Sequence, residues 1–485
     1  MKNIFILSAF FFFLQQGFTQ KKEKVEEMPW QITNVVNLSD STGAGSIKFS
    51  PKEKKSGVIF IDQEGNASKE VTFPGNAIGI GKWNGEIVAF YRDGWNEKNA
   101  DKEIHAVLID PRKGVLLSDK LIYQNPGDTH LDISILKDND GNLKSLLVRV
   151  SARSGNRESE TNKAMNELGM TTTLTALFFS DKPEPVARQL SSTAVGGLYL
   201  SAFANKKGDL TVISELNGQL VAEKFGQDGQ LQKKLTTPID FVEKNPGTYQ
   251  RPTAGCFDPA SDDILAYDIY HIDQKGHKML LSLFLFDFGK GLVQVGETNT
   301  LNKDFIKELN LKDKTEVKPG DFNRIDGLQP DAVLYIGDRL IVCNEIRYSR
   351  YPAEKDAHLR YDADGAIASV YDRQLHLIHR FFLGKTYEAF IDGGRGFSYS
   401  IRNGKLLLLG NIDEGHLYNN VCFIIDPAKL TMEKKMPAWG NIEKGYPVMP
   451  ESVLWFNKGI VKNHSAESHM FGWHVKSFLI KAAYE

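Results

Sequence analysis

Short apolar runs, each closed by an Asp- or Gly-containing turn and answered by a second run, recur seven times along the chain. They span Val58–Phe73, Ala106–Tyr123, Ala176–Leu190, Glu223–Leu235, Leu283–Val295, Ala368–Phe382 and Val421–Met436. Alternating apolar residues bounded by such turns predict β-hairpins. A second hairpin precedes most of them, and its later strand is the more apolar: Glu86–Tyr91, Ser145–Val150, Leu210–Leu216, Ile264–Tyr270, Arg339–Ile346, Lys405–Ile412 and Gly459–Asn463. Helical periodicity is confined to Lys303–Leu309, where Phe305, Ile306 and Leu309 share a face, and to Ser159–Leu168.

An inner hairpin plus an outer one makes a four-stranded unit that is apolar on both faces. Such units bury those faces by stacking around an axis, which also removes most exposed sheet edges. The pattern resembles β-propellers in general from residue 47 onward, without a Trp-Asp, kelch or aspartate-box signature to mark a class. Tandem β-sandwiches would also give many short strands, but the shared phase of inner and outer hairpins favours the propeller. The expected fold is all-β, with seven four-stranded blades and a short helical insertion. The last inner pair is followed only by residues 472–485, whereas Ile59–Phe73 lacks a complete inner pair. The last blade is therefore expected to be closed by joining N- and C-terminal strands.

The ends change the picture of location. Lys2 precedes the apolar stretch Ile4–Leu14, and Gly17-Phe18-Thr19 supplies small residues for cleavage. Residues 1–19 are expected to be a signal peptide, 20–45 a flexible segment with a closing strand, and 46–485 one propeller. The protein is then exported, to the periplasm or the extracellular space, without integral membrane association. With 59 Lys and Arg against 61 Asp and Glu, there is no basic field for nucleic acid. Cys256, Cys343 and Cys422 lie in or beside apolar runs and read as buried thiols, since disulfide scaffolds carry far more Cys.

Long connections fall between the second and third strands of the units and between successive units, which places both at one end of a propeller, where recognition loops gather on a rigid scaffold. They supply the candidate ligand-binding residues. Arg92, Asp93 and Trp95 stand in one loop and His416 in another, while Arg251, Asp326 and Asp392 lie on links between units. Glu345, Arg347 and Tyr348 open the long loop Glu345–Gly365. Two guanidiniums there, with Arg350, suit bidentate binding of a carboxylate or phosphate, or an ion-pair network that holds the loop. Trp95 and Tyr348 read as candidate platforms for a sugar or peptide surface, or as wedges between blades. His130 with Asp132 reads as a ligand pair or as a polar network at alternate strand positions.

No cofactor is expected. Calcium is weakly supported by the Asp-rich turns at Asp138–Asn142 and Asp362–Gly365, neither of which completes a calcium loop with its terminal Glu. The leading expectation is a monomeric exported binding protein for a glycan, peptide or small acidic ligand. The alternatives are a carbohydrate-active hydrolase or lyase with its site at the axial funnel, and a protein-interaction scaffold. No catalytic residue or metal site is assigned.

Overall fold

The computed structural model describes residues 30–49, 53–92, 103–125, 130–151, 171–180, 184–239, 253–272, 279–296, 299–300, 328–350, 360–389, 396–413, 418–439, 448–457, 459–468 and 474–483. Within them the strands form eight antiparallel sheets, seven of four strands and one of five. Seven of the eight follow chain order from first to fourth strand. They are blade 1 (residues 30–74), blade 2 (76–124), blade 3 (130–189), blade 4 (198–238), blade 5 (253–300, with Asn299–Thr300 as an added short strand), blade 6 (328–389) and blade 7 (398–435). Blade 8 runs over 438–483, and its strands order as Ala438–Trp439, His474–Ala483, Gly459–Ser468 and Val453–Phe456. The one helical element among the described residues is a 3-10 turn at Pro450–Ser452. The helices expected at Lys303–Leu309 and Ser159–Leu168 fall outside the described residues.

The propeller therefore has eight blades, not seven. The seven outer hairpins belong to blades 1 to 7 and the seven inner pairs to blades 2 to 8, so the two sets are offset by one blade. Blade 1 has its own inner pair, Trp30–Asn37 and Thr42–Phe49, joined in register from Trp30 opposite Phe49 to Asn37 opposite Gly43. The expected flexible segment up to residue 45 thus begins the propeller at Trp30. The expected strand exchange at the closure is also corrected. The outermost strand of blade 8 is Ala438–Trp439, paired with Ala482 and Ala483, and it comes from the link after blade 7.

Eight apolar clusters, one at each blade–blade interface, explain the sequence pattern. Successive strand residues point to opposite faces, so a second strand buried on both faces is apolar throughout. In blade 7, Leu406 and Leu408 enter the cluster shared with blade 6, while Leu407 and Leu409 enter the one shared with blade 8. Outer strands have less to bury: in Ala67–Pro74 only Val71 and Phe73 are covered. The ring closes where Ile32, Ile47, Phe49, Ile59 and Ile61 of blade 1 pack on Leu454, Phe456 and Val461 of blade 8. Asn37 Nδ2 donates to Trp455 O across this seam at 2.6 Å.

The recurrent Asp has a local cause. At the end of the third strand of blades 1, 2, 5, 6 and 7 stand Asp62, Asp110, Asp287, Asp372 and Asp426. Each carboxylate accepts backbone N–H bonds from the turn that follows, for example from Glu64 at 2.9 Å and Asn66 at 2.8 Å onto Asp62. These are Asx-type turns, which fix each outer hairpin from within.

Candidate functional site at the link end

The meander gives the propeller two unlike ends. Turns inside the inner and outer hairpins lie at one end, the turn end. Connections between second and third strands, and those between blades, leave from the other, the link end. The second strands reach the link end with a polar residue in every blade: Lys48, Arg92, Arg149, Glu215, Asp268, Glu345, Asn411 and Lys462, in blades 1 to 8. A polar belt thus interrupts the apolar stacking where the long connections depart.

Most of these groups are engaged between or within blades. Arg149 pairs with Asp132, and its guanidinium lies 5.1 Å from the ring of Tyr199 in blade 4. Burial pushes the Tyr199 phenol up to about 12. Asp268 of blade 5 accepts from Asn344 Nδ2 of blade 6 at 2.6 Å. Its removal from water raises its carboxyl to about 7, against the pull of that bond. Asn411 holds the backbone of Val448, accepting from N at 2.6 Å and donating to O at 2.9 Å. Asn420 donates to Asn411 at 2.9 Å and accepts from Lys462 Nζ at 2.6 Å, linking blade 7 to blade 8. Burial lowers the Lys462 ammonium to about 7.

Glu345 is fully buried. It pairs with Lys385, and its second oxygen accepts from Gly396 N at 2.7 Å. Lys385 also donates to Gly396 O and lies 4.3 Å from the centre of the Phe397 ring. This carboxylate ties blade 6 to the start of blade 7. Arg92 ends the second strand of blade 2 and is half-buried. Lys48, half-buried in blade 1, is lowered from its ordinary value by burial.

His130 opens the first strand of blade 3 opposite Ser151. Arg347 and Tyr348 extend the second strand of blade 6, opposite Ala363 and Asp362. Arg92, His130, Glu345, Arg347 and Tyr348 therefore share the link end. Asp93, Trp95, Arg251, Asp326, Asp392 and His416 lie outside the described residues. Sequence reasoning missed Arg149, Asp268, Asn411 and Lys462 as members of the belt, although a single polar residue inside an apolar run, as in Leu146–Val150, was a usable signal.

The described residues contain no group of three or more His, Cys, Asp or Glu side chains able to hold a metal ion. At Asp138 the carboxylate accepts turn N–H bonds from Asp140 and Asn142 at 3.0 and 2.9 Å and lies 3.2 Å from Lys144 Nζ. The side chains of Asp362 and Asp364 lie outside the described residues. Cys343 and Cys422 are buried and Cys256 half-buried, all as free thiols.

This architecture defines an eight-bladed β-propeller with a polar belt at its link end. No protein-family model and no curated protein matches the chain. Among solved structures it is similar to the Nup133 β-propeller domain of Vanderwaltozyma polyspora, with a TM-score of 0.40 and 9% identity over 93% of this chain and 100% of that one. It is also similar to an ulvan lyase of a polysaccharide lyase family (TM-score 0.38, 9% identity, 94% and 96% covered) and to a streptogramin B lyase (0.34, 10%, 79% and 94%). The likeness is one of fold.

Proposed function

We propose that this protein is an exported binding protein that holds a glycan, peptide or small molecule bearing acidic groups on the link end of the propeller. The observation that carries this reading is the run of cations Lys48, Arg92 and Arg149 at that end of three consecutive blades. Lys48 and Arg92 are only half-buried there. The long connecting segments of the sequence, such as residues 152–170 and 301–327, join strands at the same end. The test is a binding panel of uronic-acid or sulfated oligosaccharides, acidic peptides and their neutral counterparts. Acidic members should bind selectively, and Arg92→Gln should weaken them about tenfold, in line with one charge-assisted hydrogen bond. Equal binding of neutral and acidic members, or binding untouched by Arg92→Gln, would sink the reading. Export is tested separately, by N-terminal sequencing of protein recovered outside the cytoplasm.

A second reading, an interaction scaffold, has one observation in its favour. On the rim, the outer strand of blade 2 (Val115–Gln124) exposes Val115, Leu116, Leu117 and Leu121, and Val186 of blade 3 is exposed nearby in the fold. A cleft of about 270 Å³ lies there, lined by Leu108, Leu121, Ile122 and Pro185 and spanned by the Lys120–Glu184 ion pair. Exposed apolar surface of this kind marks interaction sites. Leu117→Glu with Leu121→Glu should abolish any self-association seen by sedimentation; if that association is unaffected, the rim is not the contact.

A further inference from the structure

At the link end, the second strands of blades 6 and 8 outgrow that of blade 7 between them. Hydrogen bonds fix a common level. Glu345 of blade 6 accepts from Gly396 N at 2.7 Å, while Lys462 of blade 8 donates to Asn420 at 2.6 Å, which donates to Asn411 at 2.9 Å. The register of blade 7, with Ser398 opposite Leu409, puts Gly396 at the height of Asn411. From this level the second strand of blade 7 continues only to Asp413, that of blade 6 to Arg350 and that of blade 8 to Ser468. Blade 6 rises as three paired strands, with Arg347 opposite Ala363 and Ala363 opposite Tyr387. Blade 8 rises as a two-stranded ribbon, with His464 opposite Phe478. At about 3.3 Å per residue these two walls stand roughly 10–13 Å above the end of blade 7. Each packs on blade 7 lower down. Above Asp413 they therefore flank a trough one sheet layer wide, with roughly 20 Å between their mean planes.

We infer, resting on the link-end reading, that this trough over blade 7 binds a linear oligosaccharide bearing carboxylate groups, on the side of the blade 6 wall. Successive strand residues alternate between faces and directly opposite ones share a face. Cys343 and Glu345 belong to the layer between blades 6 and 7, and Ile460 and Lys462 to the layer between blades 7 and 8. Counting on from them, Arg347, Tyr361 and Tyr387 fall on the blade 7 face of one wall, and His464, Lys476 and Phe478 on the blade 7 face of the other. The carboxylate residues of the walls, Asp362, Asp364, Glu388 and Glu467, all fall on the two outer faces. Among the described residues of the floor the acidic position is Asp413, and it falls on the blade 8 side, in phase with Leu407 and Leu409. The blade 6 side of the trough thus carries an arginine and two tyrosines without an acid. These residue types suit a sugar acid, since guanidinium pairs with carboxylate and aromatic rings give flat contact to pyranose faces. The walls border the trough with faces, not strand edges. A peptide lying there would meet no row of backbone N–H and C=O groups to pair with its own, and a sugar chain needs none.

The experiment is calorimetric titration of the full chain with an oligoglucuronate, with the neutral oligoglucose of the same length and with an oligoglutamate peptide. The oligoglucuronate should bind most tightly. Arg347→Gln should weaken it about tenfold or more, as should Tyr361→Ala combined with Tyr387→Ala. Tyr361→Phe and Tyr387→Phe keep the rings and should keep the binding. Tyr348→Ala and Arg350→Gln alter the same strand as Arg347 but on the blade 5 face, and should leave affinity unchanged. Circular dichroism verifies that each variant is folded. No binding of the oligoglucuronate by the wild-type chain overturns the inference, as do equal losses from substitutions on the two faces. Glutamate peptide bound as tightly as the oligoglucuronate overturns the sugar as the ligand. Binding that falls in Arg92→Gln but not in Arg347→Gln overturns the trough and leaves the link-end reading intact, because Arg92 stands in blade 2, away from the trough.

Discussion

Glu345 and Lys385 meet with both side chains fully shielded from solvent, and together they grip the backbone of Gly396, the first described residue before blade 7. A buried pair of this kind is costly to break from one side, because the remaining charge has no water to turn to. Glu345→Gln or Lys385→Met alone should lower stability by about 3–5 kcal/mol. The double variant should recover much of that loss. Urea denaturation of all four chains gives the coupling, and additive losses would show that the two residues act separately.

Asp268 makes stability depend on pH in the acid range. Its folded carboxyl is raised to about 7 from an ordinary 3.8. Between those values the folded chain holds a proton that the unfolded chain has released, so this group's contribution is full below about 4 and is lost as pH rises toward 7. Asp268→Asn keeps a neutral partner for Asn344 and should flatten the decline between pH 4 and 7. Melting temperatures across that window, compared with wild type, measure the effect.

Lys462 acts with the opposite slope and in a different window. Its folded ammonium is lowered to about 7 from 10.5. In that interval the unfolded chain binds the extra proton, so this group makes stability rise with pH from about 7 to 10.5 and has no effect on the slope below that. Lys137 adds a contribution of the same sign over a narrower window, from about 8 to 10.5. Lys462→Met should raise stability near pH 7 and remove most of the alkaline rise, as read from urea midpoints at pH 7, 8.5 and 10.

The seam between the first and last blades depends on shape. A β-carbon on Gly43 would overlap the side chain of Leu454. Gly43→Val should therefore destabilise, and Leu454→Ala alone should cost about 2–5 kcal/mol as a core truncation. Combined, the larger residue in blade 1 fills the space left in blade 8, so the double variant should be more stable than the sum of the singles predicts. Strict additivity in denaturation would mean that the two residues do not share the space.

The same glycine explains what was hard to read. The repeat was legible because second strands such as Leu406–Leu409 are buried on both faces. The second strand of blade 1, Thr42–Phe49, places Gly43, Ala44, Gly45 and Ser46 in a row. It lacks an apolar run because Leu454 presses on Gly43 and Ile32 lies 3.1 Å from where a β-carbon on Gly45 would stand. Small residues there reflect close packing but look like a turn in sequence. In blade 8 the inner pair was legible and the outer strand was hidden, since that strand is two residues long and precedes the rest of the blade. At the link end, Glu345 stood out as a charge after an apolar run, yet its partner lies 40 residues away on another strand. Spacing alone does not reveal such a pairing.

The hydrogen bond from Asn37 to Trp455 joins residues 418 apart in the chain, whereas the apolar clusters among the described residues, apart from the one at this seam, lie between blades that follow one another in sequence. As the chain leaves the ribosome, blade 1 can form at once from its local hairpins, but one of its faces, with Ile32, Ile47, Ile59 and Ile61, has nothing to cover it until blade 8 is made. For nearly the whole of synthesis that face is a sticky surface at the leading end of a growing arc. Its protection during that wait, by a chaperone or by speed, sets how much of the chain reaches the finished ring.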